Sequence, residues 1–310
     1  VSGNSSVAGG GVYIHYYSSA DAIINSTISG NTGTDGGGIY ASGSSPVTIR
    51  NSTIASNTGG GGLYISSGTP TLISSIVAGN TGGDALNGTF AAGSTNNLIQ
   101  DAAHAGGLTN NVNANLVGVD PLISALAFYG GPTKTMALGA SSPAIGKGLN
   151  PANLTTDQRG GLFSRGTSVD IGAYQRQTLA LVVDTNVDED DGNYAAGDLS
   201  LREALTVGLN PGNDTISFAS SLNSKTITLG GTELLVQGDV TINGPGASQL
   251  SVSGNHVSRV FNIDSGASVA ISGIIRPPPS PCTTRKAIRL GASQASRSRR
   301  LRASISSRVR

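Results

Sequence analysis

"INSTISGNTGTDGGGIYAS" at residues 24–42 nearly recurs as "RNSTIASNTGGGGLYIS" at 50–66. The phrase extends both ways, to "SGNSSVAGGGVYI" at 2–14 and to a worn copy, "SSIVAGNTGGDAL", at 74–86. Aligned on their asparagines, Asn4, Asn31, Asn57 and Asn80 stand 27, 26 and 23 residues apart. A repeat of this period dictates architecture before local propensity does, because each unit must match the next. In "GGGVYIH", "GGGIYAS" and "GGGLYIS" the pattern alternates with period two. Val12/Ile14, Ile39/Ala41 and Leu63/Ile65 share one face, and Tyr13, Tyr40 and Tyr64 the other. Further apolar points recur at Ile28, Ile54 and Val77, and at Ile23, Ile49 and Leu72. Three short strands per unit, bent at Gly and Asn corners, predict one coil of a right-handed parallel β-helix. Successive coils then stack at about 4.8 Å. A β-sandwich explains short strands but not a repeated phrase with aligned asparagines. The asparagine rows read as structural, since Asn tolerates a left-handed corner and bonds along a stack.

Composition agrees. Glycine fills 45 of 310 positions, tryptophan is absent and charged residues make up 12%. A hydrophobic content of 37% is too high for a disordered chain, and so few aromatics suit thin layers of small side chains. The single cysteine, Cys282, excludes an internal disulfide framework and offers no metal spacing. No run approaches the roughly 18 apolar residues of a membrane span. Val1 opens neither an initiator Met nor a signal-peptide pattern, so the chain reads as a piece of something longer. The net charge of +1 conceals an uneven distribution, because ten basic residues and no acidic one lie in 276–310. Without them nine basic residues face eighteen acidic ones, a net of −9 for 1–275. The tail also holds four of the twelve prolines and the cysteine. It reads as disordered text from a shifted reading frame. It lacks the interleaved aromatics of a nucleic-acid surface, so no nucleic-acid partner is expected.

Four segments follow: β-helix repeats over 1–115, a closing segment over 116–176, an opening segment with the start of a second β-helix over 177–275, and the tail over 276–310. The expected fold is all-β, a solenoid in two β-helical bodies with a short capping helix. "NSTISGN" and "GGGIY" with their copies resemble the repeats of bacterial surface and secreted β-helix proteins of the polymorphic outer-membrane type. "GGPTKTMAL" (130–138), "SSPAIGKG" (141–148), "DQRG" (157–160) and "VDIGAYQ" (169–175) resemble the choice-of-anchor Q segment, which closes such a helix. Asp157, Arg159 and Asp170 within it read as an ion-paired irregular cap rather than a catalytic set. "SLREA" (200–204) is a capping box, Ser200 with Glu203, and resembles the CSLREA domain that opens a β-helix. Leu199 stands where that family carries cysteine, so no disulfide role carries over. The resemblances imply an extracellular or bacterial cell-surface location.

Function classes separate on side chains. A lyase or glycosidase of the pectate-lyase-like kind is the alternative the fold admits, and it needs convergent carboxylates with a base or a calcium cluster. Asp21, Asp35, Asp84 and Asp101 occupy non-equivalent repeat positions, and His15, His104 and His256 read as ordinary strand or loop residues. No catalytic residue is assigned. The expectation leans to a non-enzymatic segment in adhesion, display or envelope structure, with polysaccharide or cell-envelope components as its partner. Tyr13, Tyr40 and Tyr64 are the candidate ligand contacts, widened by Tyr16 and Tyr17. Sugar C–H faces would pack on the rings while the hydroxyls bond. The rival reading is a ladder that only steadies neighbouring coils. Asp188, Asp190 and Asp191, beside Glu189, are the candidate ligands for a hard cation such as calcium. The EF-hand frame fails because Gly192 falls one position early, so the rival there is a solvated acidic turn. No other cofactor is expected.

Overall fold

The computed structural model describes residues 1–16, 21–43, 47–208, 214–265 and 267–274. The tail, Tyr17 and the side chain of Tyr16 lie outside the described residues, and so do the expectations placed on them. The chain divides into two compact units, one spanning Val1–Thr178 and the other beginning at Leu179.

The first unit is a right-handed parallel β-helix, the hand that parallel crossovers take. Its deepest sheet stacks Thr27–Ser29, Thr53–Ala55, Ile76–Ala78, Leu98–Ile99 and Leu116–Val117, so that Ile28, Ile54, Val77, Ile99 and Val117 lie in register. A second sheet stacks Val12–Tyr16, Ile39–Gly43, Leu63–Ile65 and Ala85–Leu86, and a third Ala22–Ile24, Thr48–Arg50 and Thr71–Ile73. The inward residues of these sheets fuse into one core with Ile28, Ile39, Ile49, Ile54, Leu63 and Leu72 at 1% exposure or less. Three of the coils carry a fourth strand beyond the three expected: Ser5–Ala8, Thr32–Asp35 and Thr58–Gly59 pair as a further sheet. Buried Gly33 lies between exposed Thr32 and Thr34, so this strand offers no apolar residue for a periodicity to detect.

The corners explain the repeated Asn and Ser. Asn25, Asn51, Ser74, Asn96 and Ala114 occupy one corner of five coils with φ of 45–55°. Gly30, Ser56 and Gly79 occupy another with φ of 58–66°. The sequence expectation gave one asparagine both duties, left-handed turn and ladder bond. The structure divides them between neighbours, and the residue after each turn makes the ladder. At one corner Asn4, Asn31 and Asn57 each donate backbone N–H and side-chain NH₂ to the Oδ1 of the asparagine one coil on, at 2.9–3.1 Å. At the other, Ser26, Ser52, Ser75 and Asn97 donate N–H to Ser52 Oγ, Ser75 Oγ, Asn97 Oδ1 and Asn115 Oδ1. These bonds satisfy corner amides that cannot join a sheet.

The segment over 116–176, expected to close the helix, adds the strand Leu116–Val117 to the stack and then runs along the side of the coils. Thr27–Ser29, Thr53–Ala55 and Ile76–Ala78 are buried at every position, because their outward face is covered as well as their inward one. Ile76, Ala78 and Leu98 form a second core there with Ala137, Leu138, Ala144, Ile171 and Tyr174. The left-handed corner supplies the polar seam: Asn25, Asn51 and Asn96 donate to the carbonyls of Thr156, Leu149 and Lys147, and Ser74 Oγ accepts from Leu149 N–H. One row of side chains thus turns the coil and fastens its cover.

The second unit stacks Ala180–Val183, Asp214–Phe218, Val240–Asn243 and Val269–Ser272, with Lys225–Thr228 on Leu250–Ser253 and Leu234–Val236 on Phe261–Ile263. Leu181, Ile216, Ile242 and Ile271 run in register. Helix α1, Leu201–Val207, begins at the expected capping box: Ser200 Oγ accepts from Glu203 N–H and Glu203 Oε2 from Ser200 N–H. It packs on the Ala180–Val183 and Leu234–Val236 strands through buried Leu201, Ala204, Leu205 and Val207. Arg202 reaches the carbonyls of Thr232 and Glu233, beside the strand that begins at Leu234. A helix and a guanidinium together satisfy an end that would otherwise offer unpaired backbone to another chain.

Candidate functional site

In the first unit parallel pairing sets Tyr13 opposite Tyr40 and Tyr40 opposite Tyr64. Their rings stack at centroid separations of 5.0 and 5.5 Å, with planes 3° and 7° apart. The three candidate contacts are therefore brought into one row, which Leu86 continues beyond Tyr64. Tyr13 is 55% exposed and the other two are half-buried. The stacking alters what the row presents. Parallel rings at these separations must overlap, since side-by-side rings in one plane need more room between edge hydrogens. Tyr40 therefore has a neighbouring ring against each of its faces. The row offers ring edges, three hydroxyls and the outer face of Tyr13. Beside it His15 lies 6.2 Å from Tyr13, centroid to centroid, and pairs in register with Ser42.

A glycine corner joins this row to the fourth sheet. Gly36 has φ of +68°, and a Cβ on it would stand 2.2 Å from the carbonyl oxygen of Ile39. A Cβ on Gly37 would stand equally close to that of Thr58, so no side chain fits between the two surfaces. Beyond the corner Ser5, Val7, Thr32 and Thr34 line a shallow trough, with Thr32 Oγ1 2.8 Å from Thr58 Oγ1.

Other candidates resolve as structure. Asp157 and Arg159 pair with both side chains fully buried, and the guanidinium lies 3.6 Å from the Phe163 ring centroid and 3.9 Å from that of Tyr174. Asp170 accepts from the N–H groups of Gly146 and Arg176, and burial raises its pKa above the usual carboxylate range. Arg165, which the motifs did not single out, is buried among them and donates to Asn25 Oδ1 and to the carbonyls of Gly172 and Ala173. Desolvation lowers its pKa to about 10. All four of these charged groups are buried.

The structure does bring three dispersed residues together. Asp84, at 1% exposure, ends the asparagine ladder by accepting from Asn80 Nδ2 and from Asp101 N–H, and burial raises its pKa. Asp101 in turn caps the short turn Ala102–His104 and holds His104 Nδ1 at 2.7 Å, a bond that lowers the Asp101 pKa. The signal for this was an aspartate three residues before a histidine, at a capping position.

The acidic loop does not gather. In the second unit Asp188 is gripped by Arg202 through both carboxylate oxygens at 2.8 Å and also accepts from Gly230 N–H. Asp191 accepts from Asn193 N–H. Among the described residues no three His, Cys, Asp or Glu side chains are grouped to hold a metal ion. Of the three expected cation ligands, Asp188, Asp190 and Asp191, the first is thus committed to the Arg202 guanidinium. The described residues also contain no helix long and apolar enough to cross a membrane.

These features define a parallel β-helix bearing an aromatic row on one face and a lateral cover on another. No family model, curated protein or solved structure matches the chain.

Proposed function

We propose that this chain is a non-enzymatic segment of a large bacterial cell-surface or secreted β-helix protein, serving adhesion, display or envelope structure, with polysaccharide as its partner. The observation that carries the reading is the tyrosine row, in which three stacked phenols, Tyr13 exposed and the other two half-buried, repeat from coil to coil. Such a row suits an extended, hydroxyl-rich chain laid along the solenoid, because each phenol both donates and accepts. The carboxylates support a scaffold rather than a catalyst. Asp84, Asp157 and Asp170 are buried and bonded to backbone amides or to arginine.

Replacing Tyr13, Tyr40 and Tyr64 together by phenylalanine tests this without dismantling the stack. Weaker retention on an insoluble exopolysaccharide or cell-wall matrix, with the melting temperature held, is the expected outcome. Retention equal to that of the parent chain would leave the row as scaffold.

A further inference from the structure

The tyrosine row has a chemical consequence independent of any glycan. Register places three phenols in the same position on consecutive coils, with parallel rings 5.0 and 5.5 Å apart. Equivalent ring atoms, including the Cε carbons beside each hydroxyl, are therefore neighbours across each pair. The other described ring pair between tyrosines, Tyr129 and Tyr174, stands edge to face at 77° and 6.1 Å, with Tyr174 at 1% exposure. We propose that the row is a site of oxidative cross-linking, where Tyr40 joins Tyr13 or Tyr64 through a Cε–Cε bond to form dityrosine.

The chemistry balances with hydrogen peroxide acting through a one-electron peroxidase. Each phenol gives up one electron and its hydroxyl proton to become a phenoxyl radical. The two radicals, whose spin resides partly on the ortho carbons, combine to form one carbon–carbon bond. The hydrogen on each joined carbon then moves to its oxygen and restores the ring. Two tyrosines and one peroxide yield one dityrosine and two waters. Tyr13, the most exposed of the three, is the entry point, and overlap lets the electron hole pass to Tyr40 so that a second oxidation can follow at Tyr13. Preset neighbours have effective concentrations of order 10⁵ M or more, far above the micromolar protein, so the bond forms within one molecule. The product would be a covalent rivet between coils otherwise joined by backbone hydrogen bonds and the asparagine ladder.

The test treats the whole chain at micromolar concentration with peroxide and a heme peroxidase. Blue dityrosine fluorescence is expected in a species of monomer mass that has lost two hydrogens, with peptide mapping joining Tyr40 to Tyr13 or Tyr64. Tyr40→Phe preserves the stack but cannot form the radical, so it should lose most of the intramolecular product, while Tyr194→Phe should keep it. Monomer-mass dityrosine that persists in Tyr40→Phe, or cross-links found only between molecules, would overturn the proposal.

Discussion

Asn57→Ala is expected to lower the stability of the first β-helix by about 3–5 kcal/mol, several times the effect of the same change at Asn4. Asn57 is fully buried. Its Oδ1 accepts from the backbone and the side chain of Asn31, and its Nδ2 donates to Ile28 O and Asn80 Oδ1. Alanine leaves the Asn31 N–H buried without an acceptor and takes a side-chain donor from the buried Ile28 carbonyl, while Asn80 Oδ1 keeps the Asn57 N–H. Each such group costs about 1–3 kcal/mol. Asn4 stands at the exposed end of the ladder, where water replaces what is lost, so about 0.5–1 kcal/mol is expected there. Urea unfolding reads both from the shift in midpoint at constant slope. Equal losses at the two positions would mean that the ladder does not act as a buried row.

The second large effect lies in the lateral cover. Arg159→Met should cost about 3–5 kcal/mol, because it leaves the Asp157 carboxylate buried without its counter-charge. The guanidinium also donates to the carbonyls of Tyr129 and Gln175 from between two aromatic faces, which methionine cannot reproduce. Lysine would be a poor substitute, since one ammonium cannot match the planar fork. Pairing the change with Asp157→Asn should recover part of the loss, since the unbalanced charge disappears. The sensitive readout is hydrogen exchange at Thr27–Ser29 and Thr53–Ala55, whose outward face the cover protects. Unchanged protection there in Arg159→Met would show that the pair does not hold the cover down.

Much of this was legible in the text of the chain. The period of the copied phrase and its aligned asparagines specified the stacking, and alternation around "GGGIYAS" correctly put Ile39 inside and Tyr40 outside. Ser200 with Glu203 marked the helix start. The fourth strand was not legible, because its inward position is glycine and glycine has no hydrophobic signature. The lateral placement of 116–176 was hidden for a different reason. Asn25, Asn51 and Asn96 bond to backbone carbonyls, which no residue type announces. One clue was present: "IVA" at 76–78 is continuously apolar, as strands buried on both faces are. The overlap that closes the faces of Tyr40 depends on side-chain tilt, which register alone does not specify. The commitment of Asp188 to Arg202 spans 14 residues of irregular chain and had no local pattern.

The central claim is the register of the coils, from which the row, the ladder and the cover all follow. A Thr32→Cys/Thr58→Cys pair, with Cys282 replaced by serine, tests it directly. These residues are paired partners with side chains in contact, and neighbouring strands lie about 4.8 Å apart, within disulfide reach. The diagonal pair Thr34→Cys/Thr58→Cys adds two residues of rise and lies beyond the roughly 7 Å limit for Cα separation. Mild oxidation should close the first pair rapidly within a folded monomer and leave the second reduced. Closure of the diagonal pair in preference to the direct one would contradict the register, and with it the account.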